Sequence, residues 1–410
     1  MVGAPLRWIE DPAALRKRAA ALVIGFAGLR NNERTAAITE AFREEQIFRV
    51  VFESNHIEGA GASTLTETRK IAARALCSRP PQPTEHARRQ FIVHRIWASR
   101  TRSRTDETIQ QLTALPEGIP AERHLPVLTF EGRTRLGREV VQHVGETQRA
   151  LSRAERFGIK RMMLWARQQR ARAQHDSRSI VTWPADWPPE DALAIPQLVD
   201  QRFVRAMHER IARDLLDPSQ TEGVPPGQYR IDRRGAGPLG STRWFLSPEQ
   251  IDPAMRLWVR RCNQLALSSG IDPLYRACWI MHRFTEIHPF PDFNGRLARL
   301  LMNLSLYADG LPFPVSFPIG AKWRRRYADA LRAGDRGDIA PLMTLIARAI
   351  VDAFERLDAQ LRAADLPGIP QGRVGLYTPP TKPKHWGWDR VQDQRRARRA
   401  PPRALRTPAP

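Results

Sequence analysis

Cysteine is scarce in this chain. Cys77, Cys262 and Cys278 are the three in 410 residues, odd in number and far apart, which excludes a disulfide framework or a zinc knuckle and leads us to expect a reducing, cytoplasmic setting. Long apolar runs are missing too. The longest stretch, Ala19 to Leu29, is too short to span a bilayer, and Glu10 and Asp11 stand before it, where a secretory signal would be basic. No membrane role is expected. There is no Gly-x-x-x-x-Gly-Lys-Ser/Thr phosphate loop. Gly235 to Gly240 has the spacing of a dinucleotide fingerprint, but Pro238 and the flanking arginines suit a loop better than a strand-to-helix turn. His208-Glu209-Arg210 opens like a zincin helix without the second histidine, so a metalloprotease site is excluded. Acidic residues are outnumbered, 43 against 65 basic ones, for a net charge of +22. That balance, mostly arginine, favours acidic partners such as nucleotide, nucleic acid or anionic protein surfaces without choosing among them.

The densest chemistry lies between His288 and Arg299, which reads His-Pro-Phe-Pro-Asp-Phe-Asn-Gly-Arg-Leu-Ala-Arg. Before it, Ala277, Cys278, Met281, Phe284 and Ile287 recur at helical spacing; after it, Leu297, Leu300, Leu301 and Leu304 repeat the pattern. The spacing predicts two buried helices joined by a polar loop. Pro289, Pro291, Asn294 and Gly295 supply the turn chemistry, with the second helix starting near Asn294-Gly295. Backbone N–H groups at a helix start point at an anion and carry a partial positive charge. His288 is a candidate general base because imidazole is partly neutral near neutral pH. Asp292 suits either a hard cation or a helix N-cap. Arg296 and Arg299 offer forked, permanently charged donors to paired phosphate oxygens.

These residues resemble the signature of the Fic (filamentation induced by cAMP) family, His-x-Phe-x-Asp-Gly-Asn-Gly-Arg-x-x-Arg. One position departs from it: Phe293 stands where the family has the first glycine. A left-handed backbone there would cost a residue with a Cβ on the order of 1 kcal/mol or more, and its ring has to be housed near the nucleotide. Upstream, Ser54-Asn55-His56-Ile57-Glu58-Gly59 resembles the inhibitory motif of the same family, Ser/Thr-x-x-x-Glu-Gly/Asn. Thr35 to Asn55 is helix-favouring, with Ile38, Phe48, Val51 and Phe52 available for one face and Gly59 as a C-terminal stop. Ser54 and Glu58, four apart, would share a face. Gly227-Gln228-Tyr229-Arg230 followed by Trp244-Phe245-Leu246-Ser247-Pro248 looks like the family's β-hairpin flap, and Gly310-Leu311-Pro312 through Tyr327, Leu331 and Asp338 is similar to the end of its core.

The resemblance implies a mainly α fold: a Fic-type helical core with a short β-hairpin flap, a helical N-terminal region and a disordered basic C-terminal tail. The domain limits we expect are 1–80 for the N-terminal helices, 81–190 for a variable basic helical segment, 191–363 for the core and 364–410 for the tail. Proline clusters at 78–83 and 183–189 and a shift to Pro, Arg and Gly past residue 364 mark them. The implied function is transfer of AMP from ATP to a Ser, Thr or Tyr hydroxyl of a target protein, or removal of that AMP. His288 would be the base, Asp292 would hold Mg²⁺, Asn294, Gly295, Arg296 and Arg299 would bind the nucleotide, and Glu58 with Ser54 would form a brake on Arg299. The alternative is a catalytically impaired Fic-like regulatory protein that acts as a basic nucleic-acid or protein-binding module. Its tail would bind polyanions with strong salt dependence.

Overall fold

The computed structural model describes residues 11–27, 29, 32–76, 134–175, 196–217, 219, 221–236, 243–268 and 271–370. Three N-terminal helices come first: α1 (Pro12–Ala27), α2 (Glu33–Ile57) and α3 (Leu65–Leu76). Asn32 caps α2 by accepting from the amides of Arg34 and Thr35, the arrangement that makes Asn a favoured helix start. The helix stops where Gly59 takes a φ of +72°. Val51 and Phe52 are buried along α2 as expected, joined by Phe42, Ile47 and Val50, while Ile38 and Phe48 are half-buried against the same core.

A single long helix, α4 (Arg135–His175), follows. The expected helices of residues 77–133, and the second proline break, lie outside the described residues. After α5 (Gln201–Ala212), two short strands, β1 (Gly235–Ala236) and β2 (Arg243–Trp244), pair antiparallel with Gly235 opposite Trp244 and Ala236 opposite Arg243. This hairpin occupies the expected flap; the remainder of the discounted fingerprint, 237–240, is outside the described residues. Then come α6 (Pro248–Leu267), α7 (Pro273–Ile287), α8 (Asn294–Ala308), α9 (Ala321–Asp335) and α10 (Ala340–Ala363). The fold is mainly α-helical, with no other strand among the described residues.

The centre of the described core is the pair α7 and α8, which contact each other more extensively than any other two elements described. Asp272 caps α7 by accepting from Leu274, and Pro273 at the first helical position has no N–H to leave unpaired. Ile280, Phe284, Ile287, Leu297, Leu301 and Leu304 are fully buried between them and their neighbours, each contributing about 1.5–3 kcal/mol by leaving water. α4 crosses α8, and α10 packs on α1. Cys262 and Cys278 are free and buried, and burial raises both thiols well above their ordinary pKa, so neither is a reactive thiolate. Residues 364–370 turn back onto α10, where Ile369 is buried and its amide donates to Asp358. The rest of the expected basic tail, 371–410, lies outside the described residues. No helix of the described residues is long and apolar enough to cross a membrane.

One polar side chain fixes the entry of the core. Asn263 on α6 accepts from the amides of Leu198 and Val199 and donates to the Val199 carbonyl. Both loop residues are fully buried, so an apolar side chain here strands three backbone groups. We expect Asn263→Leu to lower unfolding free energy by roughly 2–4 kcal/mol, read by urea denaturation.

Candidate active site

The loop between α7 and α8 turns on two left-handed residues, His288 (φ 50°) at the end of α7 and Phe293 (φ 60°) just before α8. Neither is glycine, so each costs on the order of 1 kcal/mol or more. The loop is therefore held from several sides. Asn294 is consumed inside it: its Oδ1 accepts from the Phe290 amide and its Nδ2 donates to the carbonyls of Phe290 and Asp292. Only its backbone faces the helix start. Asp292 Oδ1 accepts from the Phe293 amide at 2.6 Å, and the carboxylate is 64% exposed, so it is oriented by the loop yet open to solvent. It does not cap α8, whose N-cap residue is Phe293.

His208 of α5 fastens the loop from beneath. Its Nδ1 accepts from the Gly227 amide at 2.8 Å, and its Nε2 lies 3.1 Å from the Asp292 carbonyl, a pairing that requires the neutral, Nε2-protonated ring. The ring stacks on Phe290 at 3.8 Å between centroids and meets the edge of Phe293. Burial, partly offset by the Asp292 carbonyl and reinforced by Arg296, pushes its pKa down to about 3.

The flap base holds the loop from above. Arg230, 2% exposed, donates to the carbonyls of His288 (2.7 Å), Ile287, Asp232 and Leu246, closing the end of α7 with a positive charge where its dipole is negative. The Arg230 amide donates to Pro289, and Arg234 donates to Pro291 at 2.8 Å. Phe245 lies flat on the His288 imidazole, 3.7 Å between centroids and 4° from parallel. The candidate base thus sits in a fixed orientation under an aromatic lid.

At the α8 start, Ser54 and Glu58 of α2 converge on Arg299. Its Nε donates to Ser54 Oγ and its Nη2 to the Ser54 carbonyl, both at 2.9 Å, while Nη2 also reaches Glu58 Oε1 at 2.7 Å. Burial alone would lower the pKa of this guanidinium, but Glu58 and Tyr327 hold it above the ordinary value. The Glu58 carboxylate rests on Gly295, where any Cβ would collide with it and would lie 3.3 Å from Arg299 Nη1. The glycine therefore makes a cradle that an acidic group fills. Arg324 of α9 donates to the His56 carbonyl at 3.0 Å and secures the end of α2. The Glu58 side chain is 36% exposed against 2% for Arg299, so one partner stays solvated and the pair is far weaker than a buried one.

Arg296 is engaged differently. It pairs with Glu139 of α4 and lies 3.5 Å from the centroid of the Phe293 ring, with Nη2 3.8 Å from Asp292 Oδ2. Four residues on, His143 of α4 contacts Asn55 Oδ1 at 3.2 Å, and burial with Arg296 and Arg299 nearby keeps it neutral, well below its ordinary pKa. All eight residues singled out in the sequence thus line one loop or the helix end against it. Glu139 and His143 are marked by no motif and come from α4, whereas Arg230 and Phe245, expected only as parts of the flap, hold the His288 end of the loop.

A helix–loop–helix centre with a histidine at the loop's start and a carboxylate brought against the second helix by an N-terminal helix characterises the class of protein. Relatives supply the family. The Fic/DOC family model matches residues 198–306. A Fido domain-containing protein of Dictyostelium discoideum is 41% identical over 113 residues, 28% of this chain and 74% of that protein. Protein adenylyltransferase fic-1 of Caenorhabditis elegans is 38% identical over 86 residues, which are 21% of this chain and 16% of the relative. A Fic domain containing signaling protein from Bacteroides thetaiotaomicron aligns over 76% of this chain and 99% of that one, at 15% identity and a TM-score of 0.40. The chain belongs to the Fic/DOC family.

Because His208 binds its proton only near pH 3 when folded but near about 6.5 when unfolded, the unfolded state takes up the proton first on acidification. The contribution is complete above about pH 6.5 and is lost as pH falls from there toward 3. We expect the unaltered protein to lose roughly 2 kcal/mol more than His208→Gln between pH 7 and pH 5, measured by denaturant unfolding at both values.

Proposed function

We propose that this protein transfers AMP from ATP to a hydroxyl of a protein target and that Glu58 restrains the reaction. The observation that carries the reading is the Glu58 carboxylate in the Gly295 cradle, against Arg299 and the first turn of α8. A carboxylate is a fair stand-in for a phosphate oxygen pair, and a helix start with an arginine beside it binds either. Relatives named protein adenylyltransferases support the same assignment.

In this reading Gly295, the amides at the start of α8 and Arg299 receive the phosphate chain once Glu58 withdraws. His288 acts on the target: its Nδ1 is buried, so a hydroxyl reaches the ring at Nε2, which takes the proton. The hydroxyl oxygen bonds to the α-phosphorus as the bond to pyrophosphate breaks, leaving AMP esterified to the target. Phe245 and Arg230 keep the imidazole oriented through this step. Mg²⁺ bound to the triphosphate would neutralise its charge. The exposed oxygen of Asp292 suits that hard cation, and since no cluster of three or more protein ligands exists among the described residues, phosphate oxygens and water would complete its shell. The brake needs no more than competition: an anion already occupies the place of another.

Intact-mass analysis after incubation with Mg²⁺ and ATP tests this. Glu58→Gly is expected to self-label at least about tenfold faster than the unaltered protein, as loss of roughly 1.4 kcal/mol of competition would give. Adding His288→Ala should abolish the label. Equal labelling with and without Glu58 would refute the brake, and labelling that survives His288→Ala would refute the base.

A further inference from the structure

The first motif arginine is not presented to the anion cradle as Arg299 is. Arg296, 6% exposed, is enclosed by three groups of this chain: the Glu139 carboxylate on Nη1, the Phe293 ring beneath its plane at 3.5 Å, and Asp292 Oδ2 at 3.8 Å from Nη2. The Phe293 ring is itself 95% withdrawn from solvent, between Arg296 and the edge of His208, so it does not project into the nucleotide cradle. A desolvated guanidinium on an aromatic face is attracted to the ring, which helps offset the left-handed backbone of Phe293. Glu139 is the closest of the carboxylates around Arg296, and its side chain is only 12% exposed.

We propose that Glu139 is a positioning residue for the carboxylate that would bear the metal: by holding Arg296 on α4, it keeps the Arg296–Asp292 ion pair from closing to a hydrogen bond. The inference rests on the reading of the site as one that binds a metal–nucleotide complex. Its physical basis is a competition. A buried arginine stays charged and takes the nearest available carboxylate. With Glu139 in place the hydrogen bond goes to Glu139, while Asp292, although its charge acts strongly on Arg296, stays in a looser ion pair longer than a hydrogen bond and keeps its exposed oxygen open to solvent. Without it, the existing ion pair with Asp292 is the one left, and a modest side-chain movement would tighten it to a hydrogen bond. An Asp292 oxygen would then be engaged in a hydrogen bond to Arg296, leaving one hard oxygen fewer for Mg²⁺. Glu139 touches neither nucleotide nor target in this account and acts only through Arg296.

The test is calorimetric binding of α,β-methylene-ATP, which cannot undergo the transfer, to the Glu58→Gly protein and to the same protein carrying Glu139→Gln or Glu139→Asp. Each is titrated with excess Mg²⁺ and again with EDTA. We expect Glu139→Gln to weaken Mg²⁺-dependent binding by about tenfold, the usual effect of losing a partner behind a metal ligand, with metal-free binding unchanged. Glu139→Asp should restore most of the loss. If metal-dependent and metal-free binding fall together, or neither changes, Glu139 is a packing residue and the inference is wrong. If the Glu58→Gly parent binds no nucleotide under either condition, the functional reading falls and this inference with it.

Discussion

Everything at this site depends on a glycine under a carboxylate. Gly295 leaves the first turn of α8 bare, and the N–H groups there carry partial positive charge that a side chain of this chain answers. Arg299 adds a full charge beside it, buried in a position where lysine could not make the three hydrogen bonds to Ser54 and Glu58. Of these bonds, two go to Ser54 and do not involve the Glu58 carboxylate. Arg299 is thus aimed by contacts independent of its carboxylate partner, as the proposed competition requires.

Rigidity elsewhere makes that arrangement possible. Two left-handed residues in one six-residue segment are unfavourable, and the surroundings hold them: His208 from below, Arg230 and Arg234 from the flap, Asn294 from within. Each uses backbone carbonyls of the loop as its target. The loop's shape is thus set by side chains at a distance along the sequence, while the groups proposed to react, His288 and Asp292, are not fully buried. α4 adds a further constraint by carrying Glu139 and His143 one turn apart, the one toward Arg296 and the other toward the end of α2.

The parts legible in the sequence were those carried by local pattern. Helical spacing on both sides of residues 288–299 placed α7 and α8, Gly59 marked the end of α2, and the four-residue interval from Ser54 to Glu58 put both on the face that meets Arg299. The departure at Phe293 was visible as a letter, and its cost could be reasoned from its Cβ. Its destination could not: the ring lies between Arg296 and His208, and nothing in the order of residues links 293 to 208. Glu139 was illegible for a similar reason, since one glutamate on a charged helix looks like any other until tertiary packing chooses it. His208 was noticed only for the metal motif it fails to complete, whereas its two hydrogen bonds join segments 19 and 84 residues away.

The central claim is that Glu58 and the phosphate chain of ATP compete for one place. Calorimetry of the unaltered protein against Glu58→Gln with Mg²⁺ and α,β-methylene-ATP addresses it most directly, because glutamine keeps the side-chain size and removes the charge. The account predicts tighter binding to Glu58→Gln, by about tenfold. Equal affinity for the two proteins would contradict it.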